Sequence, residues 1–113
     1  MSSDAPAAMA SPPAYVIVDV TEIHDDPRYA RYREAVPATI AAAGGRYLAR
    51  GGAIQVLEGE WRPSRLVVVE FPDAASAVAW WRSEAYAPLR TLRTESIAAN
   101  MVVVTGTAGE RAR

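Results

Sequence analysis

At 113 residues, half of them hydrophobic and 22% charged, the chain has the size and apolar content of one packed domain. Its 12 basic and 13 acidic residues are mixed along the chain and leave a net charge of −1, with no basic face of the kind nucleic-acid binders concentrate. The absence of cysteine excludes disulfides and thiolate chemistry, and a single histidine, His24, excludes any site that needs two imidazoles.

Residues 1–13, rich in Ala, Pro and Ser, read as a flexible tail without the basic and apolar regions of a signal peptide. No apolar run approaches the roughly 20 residues of a membrane span, so a cytoplasmic location without membrane contact is expected. The folded body is expected over Ala14 to Gly106, with a second tail over 107–113. Ala14 to Glu22, dense in Val and Ile, predicts a first strand. Asp25-Asp26-Pro27 supplies a carboxylate cap and an early proline for a helix running to about Ala43. On it Tyr29, Tyr32, Val36, Ile40 and Ala43 share a face, Pro37 should kink the stretch, and Gly44-Gly45 should end it. Arg46 to Arg50 predicts a second strand, interrupted at Gly51-Gly52 and resumed over Ala53 to Glu58. After a turn over Gly59 to Ser64, Arg65 to Phe71 predicts a third strand. Pro72-Asp73 opens a helix over Ala74 to Arg82, and Ser83 caps a further segment from Glu84 to about Arg93. Asn100 to Thr105 predicts the last strand. The order β-α-β-β-α-β is the ferredoxin-like α+β arrangement, two helices on one face of a four-stranded antiparallel sheet.

Strand alternation places Val16, Val18, Val20, Val67, Val69 and Phe71 toward the helices. The opposite face carries Tyr15, Ile17, Leu66 and Val68, where a solvated antiparallel sheet would be polar. A second apolar face calls for a partner, and the simplest is another copy packed sheet to sheet. Asp19 and Glu70 sit in that apolar company, where a carboxylate is costly unless paired.

Gly44-Gly45-Arg46-Tyr47-Leu48-Ala49-Arg50-Gly51, Leu57-Glu58-Gly59, Arg65-Leu66-Val67-Val68-Val69-Glu70-Phe71-Pro72, then Ala77, Trp80 and Ser83-Glu84-Ala85-Tyr86, together resemble the DUF1330 family of the dimeric α/β-barrel superfamily. The resemblance covers Ala14 to about Gly106 and implies a ferredoxin-like protomer whose sheet pairs with that of a second copy. Members of the superfamily include cofactor-free monooxygenases, isomerases and haem-degrading enzymes, and they tend to share a pocket between sheet and helices. By that resemblance the pocket here would be lined by Tyr32, Arg50, Glu70, Trp81, Tyr86 and Arg90. Haem is discounted because His24 is the sole imidazole, and no metal or cofactor is expected.

Glu70 is a candidate proton acceptor, or a structural partner of Arg50 or Arg65. Arg50 is a candidate clamp for a substrate carboxylate, or a support for Glu70. His24 has the titration range for proton transfer but reads as a surface loop residue too. Arg90 and Arg93 read as solvated, although Arg90 follows Tyr86 by one helical turn and can share its face. Of the adjacent Trp80 and Trp81 only one can enter the core. These residues point to metal-free proton transfer, isomerisation or oxygenation of a small organic acid or aromatic-like compound. The competing expectation is a non-catalytic small-molecule binder, and a third is a polar cluster that only stabilises the fold.

Overall fold

The computed structural model describes residues 11–107; of the two expected tails, residues 1–10 and 108–113 lie outside the described residues. The elements run β1 (Ala14–Ile23), α1 (Asp26–Ala42), β2 (Arg46–Arg50), β3 (Arg65–Phe71), α2 (Ala74–Arg82), α3 (Ala87–Ser96) and β4 (Ile97–Thr105). The four strands form one antiparallel sheet in the order β2-β3-β1-β4, the ferredoxin-like arrangement read from the sequence.

Local chemistry explains the helix bounds. Asp25 accepts a hydrogen bond from the Arg28 amide at 3.0 Å, and Pro27 stands in the first turn, where no N–H is needed. Gly44, at φ 87°, ends α1. Asp73 caps α2 through the Ser76 amide at 2.7 Å. Ser83 Oγ accepts from the Tyr86 amide and closes the turn between α2 and α3.

The register aligns Val16 with Val69 on one side and Val103 on the other, so one face of the sheet is a run of branched aliphatics. Tyr29, Tyr32, Val36 and Ile40 of α1 bury against it, as their spacing predicts. Phe71 and Tyr86 are fully buried on either side of Trp80, whose ring lies 5.5 Å from Phe71 and 4.2 Å from Tyr86. Each such side chain contributes about 1.5–3 kcal/mol on leaving water.

Three boundaries differ from the sequence-based expectation. Ala53 to Glu58 forms no strand; every residue from Gly51 to Arg62 is exposed, and Leu57 is 90% exposed. A segment with strand-forming residues becomes a strand only when a ladder partner is within reach, and the pairing of β2 with β3 ends at Arg50 and Val67. Trp61 brings this arm back to the outer sheet face by donating from Nε1 to Asp19 Oδ2 at 3.1 Å. β4 begins at Ile97 rather than Asn100, because Ile97 and Ala98 pair with Ile23 and Glu22 beyond a register shift. The last helix spans Ala87–Ser96 rather than starting at Glu84.

Candidate functional site

Pro37 shapes the first part of the site. A proline inside a helix has no N–H for the carbonyl four residues earlier, here that of Arg33. Arg50 takes the vacant acceptor, its Nη2 donating to Arg33 O at 2.6 Å, while its guanidinium lies 4.6 Å from the centre of the Tyr47 ring. At the next residue Gly51 turns at φ 75°, donates its N–H to Leu66 O, and sits so close to Arg65 Nη1 that a Cβ would collide with it. Arg65 in turn donates from Nε to Tyr29 Oη at 3.0 Å, and Arg33 stacks over the Tyr29 ring at 4.9 Å. Three guanidinium groups from three elements thus rim an open groove of about 560 Å³, with Glu34 also on its wall.

The groove shares Arg33, Arg50 and Arg65 with an inner cavity of about 40 Å³ between α1 and the sheet. That is room for a few water-sized groups, since one needs roughly 10–15 Å³. Half of its wall is aliphatic; Tyr29, Tyr32, Tyr47, Trp80, Arg93 and the three shared arginines are the aromatic and polar members, with no Asp, Glu or His. Tyr32 Oη lies 2.8 Å from Tyr86 Oη, and Arg93 donates from Nε to Tyr86 Oη at 3.1 Å. Burial, then the neighbouring Tyr86, pushes the Tyr32 hydroxyl well above the usual tyrosine range, so it stays a neutral donor. Burial raises Tyr47 as well, against the opposing charge of Arg50. Arg93 is only 8% exposed, and among the described residues the one hydrogen bond of its side chain is to Tyr86. None of Arg33, Arg50, Arg65 and Arg93 forms an ion pair among the described residues.

The structure therefore brings Tyr32 and Arg50 to one cavity, with Tyr86 directly behind Tyr32. It does not bring Glu70 there. Strand alternation turns Glu70 away from the buried Val69 and Phe71, onto the outer face, where Arg46, its cross-strand neighbour, donates to it at 2.8 Å. Its partner is neither Arg50 nor Arg65. His24 is exposed in the β1–α1 loop, 3.5 Å from Glu22. Trp81 is exposed and lines a separate apolar groove beside β4, and Arg90 stacks on it with 4.5 Å to the ring centre. The sequence-based account missed Arg33, Arg65 and Arg93. Arg93 was expected to be solvated, yet it lies seven residues after Tyr86, a spacing that returns a helix to the same face.

The profile of a family described as a domain of unknown function, DUF1330, matches residues 13–107. The chain belongs to the DUF1330 family. No curated protein matches this DUF1330 chain in sequence. Among solved structures it is similar to a protein of unknown function from Rhodopseudomonas palustris, with a TM-score of 0.70 and 16% identity over 86% of this chain and 84% of that one. It is also similar to SnoaB, a cofactor-independent oxygenase from Streptomyces nogalater, at a TM-score of 0.56 and 13% identity over 87% and 95% of the two chains. A hypothetical Arabidopsis thaliana protein gives 0.59 and 8% over 91% and 96%. At such identities the likeness is one of fold. No described helix of this DUF1330 chain is long and apolar enough to cross a membrane, and no cluster of three or more His, Cys, Asp or Glu among the described residues could hold a metal ion.

Proposed function

We propose that this DUF1330 protein binds a small organic acid in the cavity between α1 and the sheet, and that it does so as a homodimer. The observation that carries the binding assignment is the convergence of Arg33, Arg50, Arg65 and Arg93 on one cavity without an ion pair among the described residues. Like charges held together, one of them buried, are costly unless an anion joins them. Guanidinium groups suit a carboxylate in particular, which accepts two parallel N–H bonds. The aliphatic remainder of the wall favours an organic acid over a bare inorganic anion. Binding is favoured over proton transfer because no Asp, Glu or His lines the inner cavity, and Glu70 and His24 lie elsewhere.

The dimer is supported by the outer sheet face. Tyr15, Ile17, Leu66 and Val68 are only half-buried there, and Val102 and Val104, in register with Ile17 and Tyr15, are 57% and 47% exposed. Sedimentation velocity at micromolar concentration should report a dimer, and Val102→Arg should shift it to protomers; a protomer in the unmodified protein would overturn the assembly.

Thermal shift and calorimetry with short carboxylates at low salt test the binding assignment. The acids should raise the melting temperature, and Arg50→Met and Arg65→Met should each abolish most of the rise. Failure of every acid to bind at about 10 mM, near the weak limit of specific recognition, would overturn it. So would undiminished binding by both variants.

A further inference from the structure

Taking the organic-acid assignment above as its premise, we propose that the ligand is a short aliphatic dicarboxylate, one carboxylate held by Arg50 and Arg65 at the rim and the other received by Tyr32 with Arg93 behind it. The inner end of the cavity carries its own, separate demand for negative charge. Arg93 is more than nine-tenths buried, lines the cavity, and meets no carboxylate among the described residues. Among the described residues its side chain has one acceptor, the Tyr86 hydroxyl, and no anion, so its charge lacks a partner. Tyr32 does not supply the negative charge, since burial keeps it protonated.

The bond between Arg93 and Tyr86 has a direction. Arg93 can only donate, so Tyr86 Oη accepts from it. Either hydroxyl can be the donor in the 2.8 Å bond between Tyr86 and Tyr32; with Tyr86 donating, the Tyr32 O–H is free for an acceptor in the cavity. What that donor faces is an acceptor, and what the cation behind it favours is an anionic one. The same wall carries Val18, Val36, Val67 and Val69, which suit methylene groups, together with Tyr29 and Tyr47. A chain with a carboxylate at each end and an aliphatic middle satisfies all three zones. A monocarboxylate satisfies the rim and leaves Arg93 uncompensated.

Calorimetric titration with succinate, glutarate and adipate, each against the monocarboxylate of equal chain length, tests this. The best-fitting diacid should bind at least about tenfold more tightly than its monoacid, the scale of one close charge pair. Arg93→Met should bring the two affinities together, because its loss falls at least about tenfold more heavily on the diacid than on the monoacid. Tyr32→Phe, which keeps Arg93 on Tyr86, should narrow the gap at least about threefold and serves equally if Arg93→Met does not fold. Equal affinities of diacid and monoacid in the unmodified protein would overturn the dicarboxylate assignment while leaving organic-acid binding intact. So would a gap undiminished in the variants. Binding of neither class would overturn the underlying assignment and this one with it.

Discussion

Tyr86→Phe removes a single oxygen atom from a fully buried side chain, and the structure says what that atom holds. It accepts from the Arg93 guanidinium at 3.1 Å and bonds the Tyr32 hydroxyl at 2.8 Å. A hydrogen bond to a charged donor contributes about 1.5–3 kcal/mol and a neutral hydroxyl pair about 1 kcal/mol, so the variant should lose roughly 2.5–4 kcal/mol. Arg93→Met in the unmodified background should cost little, because it removes the buried charge together with its demand for a partner. In the Arg93→Met background, Tyr86→Phe should then cost only about 1 kcal/mol, the neutral pair alone. Urea denaturation followed by circular dichroism gives all four corners of the cycle, at one protein concentration because dimerisation is linked to folding. A loss below about 1 kcal/mol in Tyr86→Phe, or two losses that add within about 0.5 kcal/mol, would refute the claim that Arg93 is a buried cation dependent on Tyr86.

Gly51→Ala should destabilise by about 1–2 kcal/mol, from a positive φ that a Cβ resists, and should weaken carboxylate binding through the displaced Arg65 guanidinium. Gly52→Ala, with nothing within 4 Å of the new carbon, is its silent control, and equal effects in denaturation and calorimetry would contradict the account. Glu70→Gln should change stability by no more than about 1 kcal/mol, since its partner Arg46 is 72% exposed. It should also leave acid affinity unaltered, and loss of binding would return Glu70 to the site. Stability should fall as pH rises above about 10: Tyr32 and Tyr47 keep their protons in the fold beyond the point where the unfolded chain releases them, so deprotonation favours unfolding. Denaturation midpoints across that range should fall less steeply in Tyr32→Phe, and an unchanged slope would count against a buried, neutral Tyr32.

The layered fold was legible because its signals are periodic and local. Alternating valines mark β1, three consecutive valines mark β3, the Tyr29-Tyr32-Val36-Ile40 stripe marks α1, and Asp25 and Asp73 cap the helices that follow them. What was not legible depended on tertiary pairing. Ala53 to Glu58 holds the strand formers Ile54 and Val56 but finds no neighbour, while Ile97 and Ala98 join β4 by pairing with Ile23 and Glu22 at the end of β1. The candidate site divides the same way. Tyr32 and Arg50 were found from their types and places, yet Glu70 was assigned to the pocket although alternation turns it to the other face. Arg93 escaped because arginine is ordinarily solvated, and only its spacing from Tyr86 hinted at burial. The link from Pro37 through the Arg33 carbonyl to Arg50 joins residues of α1 and β2 that nothing in the chain order connects.

Arginine side-chain NMR tests the central claim most directly, by following the Nε–H resonances of a ¹⁵N-labelled sample during titration with a short carboxylate. The account predicts saturable shifts at Arg50, Arg65 and Arg93, with Arg46 on the outer face and Arg82 on α2 unmoved. Still resonances at Arg50, Arg65 and Arg93, or equal unsaturable drift at every arginine, would contradict an anion site between α1 and the sheet.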